Sequence, residues 1–353
     1  MEAHKCRVIR RYTGRASNYA RPSREATWFG GKRRAAAEAW ARFGSPGHYV
    51  EPFAGSLAVL LGRPPEIDCI ETVNDFDGFV ANFWRALAHD PEGVARWADW
   101  PVSEPDLSAR HLWLVGQREE FTARLCGDPD FYSAKVAGWW VWGLASWIGS
   151  GWCSGTGPWT ADEGGRLVDA GNAGQGINRQ LPHLGNAGRG INRQLPHLGD
   201  AGQGIADYLC ALSDRLRRTR VCCGDWERIC DSEAALFPAR GQPTAVLLDP
   251  PYSGDVRTAD LYACDSADVA SRVLAWCERW GQHPLLRIAL CGYAGEAHGR
   301  LEAQGWAVHA WSAHGGYGSQ GEATEGRANK HEERIWFSSS CVGARGQCSL
   351  FPR

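Results

Sequence analysis

The sequence has a single methionine, no Cys-x-x-Cys pair and almost no net charge. It also lacks any run of about 18 uncharged apolar residues, the length a spanning helix needs. Its longest apolar stretch, Val136 to Ile148, is shorter and crowded with Trp and Gly, so a soluble protein with no membrane partner is expected. The thirteen cysteines are an odd number scattered along a long chain, and nothing near the amino terminus reads as an apolar signal segment. That pattern argues against a secreted disulfide scaffold and for reduced thiols in a cytoplasmic protein. Adjacent Cys222 and Cys223 have no second ligand pair at zinc-site spacing, so no metal is expected and both are read as residues of a buried strand. The balance of 38 Lys and Arg against 40 Asp and Glu excludes a globally basic nucleic-acid coat and an acidic disordered tail.

What is present is local. Residues 1–42 carry eleven Lys and Arg against three Glu, and Arg215, Arg217, Arg218 and Arg220 form a second basic cluster. Either can track phosphates; the alternative is a solvated tail and cations favoured at a helix carboxyl end. The 353 residues, 44% hydrophobic, suffice for one large domain or two modest ones. Two excesses need explaining, 18 Trp and 43 Gly.

Strand-like apolar runs followed by helical patterns recur along the chain. His48–Glu51 leads through a Gly turn to apolar 57–61, and 68–73 precedes a helical stretch at 78–88. The run 245–248 ends at a Pro pair, 285–290 precedes a helical 296–304, and 307–311 and 334–337 alternate like later strands. A helical pattern at 205–216 leads into strand-like 220–223. Such alternation predicts an open α/β sheet binding ligands at the carboxyl ends of its strands.

Residues 101–206 break the pattern. Helical material at 107–125 and 131–148 passes through a Gly-rich turn into a repeat of period 14, Gly171–Leu184 and Gly185–Leu198, followed by a half copy ending at Ile205. This segment is read as a largely helical, loop-rich insertion into a discontinuous domain, 21–100 and 207–340, with tails at 1–20 and 341–353.

The motif with the clearest chemistry is Asp249-Pro250-Pro251-Tyr252, directly after an apolar strand. A carboxylate, a carbonyl held by a rigid Pro pair and an aromatic ring suit methylation of an exocyclic aromatic amine. That amine's lone pair is delocalised into its ring. If Asp249 and the Pro250 carbonyl each accept one N–H, the nitrogen is biased toward a pyramidal form with its lone pair aimed at a methyl donor. Tyr252 is placed to stack on a base flipped out of the duplex.

With these residues the sequence resembles the Dam-type DNA adenine-N6 methyltransferases, from about Trp28 to Phe337. The resemblance implies a Rossmann-like fold binding S-adenosyl-L-methionine, with a target-recognition insertion and double-stranded DNA as partner. It also implies a cytoplasmic enzyme, bacterial or phage-encoded, of the kind found in restriction-modification systems and prophages. Trp28-Phe-Gly-Gly31-Lys32 is similar to the family's amino-terminal segment, whose aromatic and Lys help enclose the cofactor; Lys32 also approaches the DNA site. Glu51-Pro52-Phe53-Ala-Gly55 resembles the cofactor loop, in which Gly lets the backbone approach and a carboxylate balances positive charge. The family's further Gly, two positions on, is Leu57 here.

Asn74-Asp75-Phe-Asp77 resembles the acidic motif that accepts the ribose hydroxyls; Asp75 is assigned, with Asp77 its rival. Asp225 is the implied contact near the cofactor adenine, and Asp249 is implied in both cofactor and amine binding. Periodic Trp residues at 139–147 read as core, whereas Trp152, beyond the helical pattern, is expected to face DNA. Each repeat offers Asn, Arg and Gln in a row, so Arg179 and Arg193 are expected to read groove edges. Alternatives are methylation of cytosine N4 or of RNA on the same fold, and a DNA-binding protein with an inactive methyltransferase domain, motivated by Leu57.

Overall fold

The computed structural model describes residues 33–101, 103–147, 152–153, 159–161, 167–169, 204–250, 267–293, 298–310 and 333–343. The chain begins with α1 (Arg33–Phe43), β1 (His48–Glu51), α2 (Ala58–Leu61), β2 (Ile70–Asp75), α3 (Gly78–His89) and α4 (Pro91–Ala98). The long α5 (Glu104–Gly127) and α6 (Ala134–Ser146) follow, then a short antiparallel pair, β3 (Trp159–Ala161) and β4 (Leu167–Asp169). After α7 (Ile205–Leu216) come β5 (Thr219–Cys223), a 3-10 turn (Trp226–Ile229), α8 (Glu233–Leu236) and β6 (Thr244–Leu248). The last elements are α9 (Ala267–Trp280), β7 (Leu286–Tyr293), α10 (Gly299–Ala303), β8 (Ala307–Ala310) and β9 (Glu333–Phe337).

Seven strands form one mostly parallel sheet in the order β5-β2-β1-β6-β7-β9-β8, in which β9 runs antiparallel to both neighbours. The chain builds outward from β1 to β2 and β5, then returns to lay β6 and β7 on the other side. The order therefore reverses between β1 and β6, which leaves a crevice at their carboxyl ends.

Alternation along the strands sorts side chains onto two apolar faces. Tyr49, Val73, Ala245, Leu247, Ala289 and Cys291 join the core under α1, α3, α6 and α7. Val50, Val246, Leu248, Ile288 and Leu290 join Trp276, Trp306 and Trp336 on the opposite face. A central strand covered on both sides reads as a near-continuous apolar run, and all five residues of β6, Thr244 included, are buried. Each large aliphatic side chain buried this way contributes about 1.5–3 kcal/mol. Cys222 and Cys223 do lie on a strand, but β5 is an edge and they are half-buried.

Four helix starts follow from cap chemistry: Asp77, Asp90, Ser103 and Ser133 each accept a backbone N–H at the start of α3, α4, α5 and α6. The helices α1, α4, α8 and α9 lie outside the elements anticipated from the sequence. Helices α5 and α6 dock on α3. Arg85 donates to the carbonyls of Leu125, Phe131 and Asp128 at 2.8, 2.9 and 3.3 Å, and Asn82 exchanges hydrogen bonds with the Ser133 backbone. Leu114, Phe121, Val136 and Trp140 consequently share one core with Phe79 and Phe83. The helical part of the insertion thus packs into the sheet's own helical layer. Among the described residues no helix is long and apolar enough to cross a membrane.

Candidate functional site

Four strand ends meet at the crevice, and the loops after β1, β2 and β5 are tied to one another by side chains from β2. Asn74, 1% exposed, donates to the carbonyls of Pro52 after β1 and Gly224 after β5, at 3.1 and 2.9 Å. The Asp75 carboxylate accepts the Gly55 N–H at 2.9 Å on one oxygen and the Asp77 N–H at 2.9 Å on the other. The Gly224 N–H donates to the Asp75 carbonyl at 3.0 Å. Asp75 is half-buried by surface area, but its packed surroundings and the neighbouring Asp77 raise its pKa to about 6, against the opposing pull of the Gly55 amide.

The loop after β1 is shaped by two left-handed residues. Gly55 has φ 44°, and a Cβ added to it would meet no heavy atom within 4 Å; its carbonyl accepts the Trp84 indole N–H at 3.2 Å. Leu57 has φ 54° and is 1% exposed. It holds the backbone conformation a glycine would favour while filling the core with its side chain. At the end of β1, Glu51 is buried and accepts the Tyr49 hydroxyl at 2.8 Å. Burial first, then this carboxylate, raise the Tyr49 pKa well above its ordinary value. Phe53 packs on Trp226 with ring centroids 5.9 Å apart.

Asp77 has a different environment from Asp75. It caps α3 by accepting the Phe79 N–H at 2.8 Å and pairs with Arg118 at 3.0 Å. Asp225 caps the 3-10 turn through the Glu227 N–H and accepts Arg272 of α9 on both oxygens, at 3.2 and 3.0 Å. Arg272 also pairs with Glu227 at 2.8 Å, and these carboxylates raise its pKa. Asp249 is half-buried immediately after β6, and Pro250 is buried. Since Val246 pairs with Val50, Asp249 lies two residues beyond the level of Glu51.

The structure thus gathers Glu51, Pro52, Phe53, Gly55, Asp75, Asp225, Asp249 and Pro250 at the carboxyl ends of β1, β2, β5 and β6. Trp28, Gly31, Lys32, Pro251, Tyr252, Arg179 and Arg193 lie outside the described residues, as does the repeat up to residue 203. Trp152 is half-buried and serves packing: its N–H donates to the Trp140 carbonyl at 3.0 Å, and it contacts the His111 and Trp147 rings. A side chain on Gly143 would collide with it, so a bare helix surface seats the Trp152 ring against α6. Arg215 binds Glu71 through two bonds of 3.1 and 2.9 Å, which makes it a structural cation rather than a phosphate contact.

Sequence reasoning assigned no role to Asn74, Trp84, Arg118 or Arg272. Asn74 carried a signal, since it stands within the acidic motif. The other three act on partners 29 to 47 residues away, and no local pattern marks them. Among the described residues no cluster of three or more His, Cys, Asp or Glu is arranged to hold a metal ion. Chemically, the crevice offers an open glycine loop and several carboxylates to a ligand carrying a diol and positive charge. No protein-family model matches the chain, and no curated protein matches it either.

Proposed function

We propose that the protein is an S-adenosylmethionine-dependent DNA methyltransferase acting on the N6 amine of a flipped adenine. The observation that carries this reading is the position of Asp249-Pro250 at the end of β6, beside the reversal of strand order and the Gly55 and Asp75 loops. The residues present fit the cofactor. Gly55 leaves its face of the loop open, Asp75 supplies a carboxylate whose oxygens each retain acceptor capacity, and Glu51 adds negative charge at the neighbouring strand end. Asp225, held by Arg272, lines the β5 end of the same crevice. When bound, the cofactor supplies an electrophilic methyl group on a sulfonium.

The chain's own groups orient the acceptor. Asp249 and the Pro250 carbonyl each accept one amine N–H, which localises the nitrogen lone pair and aims it along the line of transfer. This is preorganised electrostatics rather than covalent catalysis. The Asp249 carboxylate balances the positive charge that develops on the nitrogen and is placed to accept the proton that the methylated amine sheds. Asp75 binds a diol through its ionised form, so cofactor affinity rises as pH increases through about 6.

The rival reading, an inactive methyltransferase domain that only binds DNA, rested on Leu57. The left-handed Leu57 leaves the loop backbone in the form a glycine would give, which supports an intact cofactor loop. The test is transfer of labelled methyl from S-adenosylmethionine to DNA. Asp249→Ala is expected to lose ~10³-fold or more of the rate while retaining its circular dichroism spectrum; undiminished transfer refutes the mechanism. Mass analysis of the product nucleosides separates adenine N6 from cytosine N4, and an RNA substrate tests the remaining alternative.

A further inference from the structure

We infer that Arg118 couples the cofactor loops to the Cys153 turn inside the recognition insertion; the inference rests on the methyltransferase reading. Arg118 projects from α5 with 19% of its side chain exposed. One guanidinium nitrogen pairs with Asp77 at 3.0 Å, another donates to the Cys153 carbonyl, and the plane sits 4.9 Å over the Phe79 ring.

Both ends of this bridge are strung tight. Asp77 caps α3 and donates its N–H to the Asp75 carboxylate, so moving Asp77 moves the proposed ribose acceptor. At the other end Cys153 is a non-glycine residue at φ 61°, a left-handed conformation that L-residues rarely adopt. Its N–H donates to His111 Nδ1 at 3.3 Å, and the preceding Trp152 is bonded to Trp140. A strained turn persists only when its surroundings hold it, and Arg118 is the holder that also touches the cofactor side.

A ligand that shifts the Asp75–Asp77 turn must therefore shift the Cys153 turn. By thermodynamic reciprocity, a nucleic acid whose binding shifts the Cys153 turn alters cofactor affinity by the same factor. An arginine suits this position because its planar fork serves two acceptors at once while stacking on Phe79; an ammonium does not.

The experiment is calorimetric titration of the full chain with S-adenosylmethionine, alone and with a mixed-sequence DNA duplex. In the wild type, DNA is expected to change the cofactor Kd by at least about fivefold. In Arg118→Gln each ligand still binds, and that factor falls to near one. Arg118→Lys, which keeps the charge and loses the fork, also fails to restore it. Should Arg118→Gln not fold, Asp77→Asn keeps a competent cap while discharging the pair, and its coupling must fall likewise. A foldable variant that retains the wild-type factor overturns the inference, as does a wild type that binds both ligands independently. A wild type that binds no cofactor overturns the functional reading and the inference together.

Discussion

Replacing Leu57 by glycine and by alanine, beside the same pair of changes at Leu60, isolates the strain in the cofactor loop. Both leucines are buried, 1% and 0% exposed, but Leu60 lies in α2 whereas Leu57 precedes it with φ 54°. Truncation to alanine at either site is expected to destabilise by about 3 kcal/mol through lost burial and a residual cavity. In a helix, glycine is worse than alanine by about 1 kcal/mol of backbone propensity, plus about 0.8 kcal/mol for the last buried carbon. Leu60→Gly should therefore fall about 2 kcal/mol below Leu60→Ala. At Leu57 the left-handed backbone penalises alanine by about 1–2 kcal/mol and spares glycine. The two substitutions there should come out within about 0.5 kcal/mol of each other, because the two effects offset. Urea unfolding followed by tryptophan fluorescence measures all four variants. An equal glycine-to-alanine gap at the two positions would refute the strained-loop argument.

Three further outcomes are expected. His111, buried at 2% exposure, titrates near 4 when folded because burial lowers it from 6.5. Between these values the unfolded chain binds more proton, so stability present above pH 6.5 is lost progressively as pH falls toward 4. The wild type's advantage over His111→Gln in urea should shrink by about 2 kcal/mol between pH 7 and 5; a constant difference sinks the assignment. Glu71 is buried and receives Arg215, Arg63 and the Thr219 hydroxyl. Its replacement by Gln should lower unfolding free energy by about 3 kcal/mol, the low end for a buried pair because both guanidiniums keep some solvent. An unchanged urea midpoint would show the cluster to be dispensable. Among the described cysteines, native thiol labelling with mass readout should modify exposed Cys126 first, and Cys230, Cys277 and Cys291 only after denaturant; the reverse order contradicts the burial pattern.

Much of the scaffold is legible in the residues. The His48–Glu51 strand and the Ile205–Leu216 helix have the bounds their patterns suggest. The fully apolar Ala245–Leu248 announces a strand covered on both faces. The acidic motif at Asn74–Asp77 is equally visible, but the division of labour inside it is not. Asp77 is committed to a helix cap and to Arg118, while Asp75 faces the Gly55 amide. Trp152 shows the opposite case: its place beyond a helical pattern suggested exposure, and a bare patch at Gly143 took it in.

The sequence by itself determined the alternation of strands and helices, the Asp-Pro-Pro-Tyr and glycine-loop motifs and the periodic Trp core. Each of these depends on residues close together in the chain, where periodicity and turn chemistry operate. Only the tertiary structure decided the strand order that brings Glu51, Asp75, Asp225 and Asp249 to one end of the sheet. It alone joined Arg272 to Asp225 and Arg118 to both Asp77 and Cys153. Such contacts are selected by packing across distant segments, where the burial of two apolar faces fixes which polar groups must find one another. A leucine in a left-handed turn likewise becomes intelligible only when its side chain is seen filling the core.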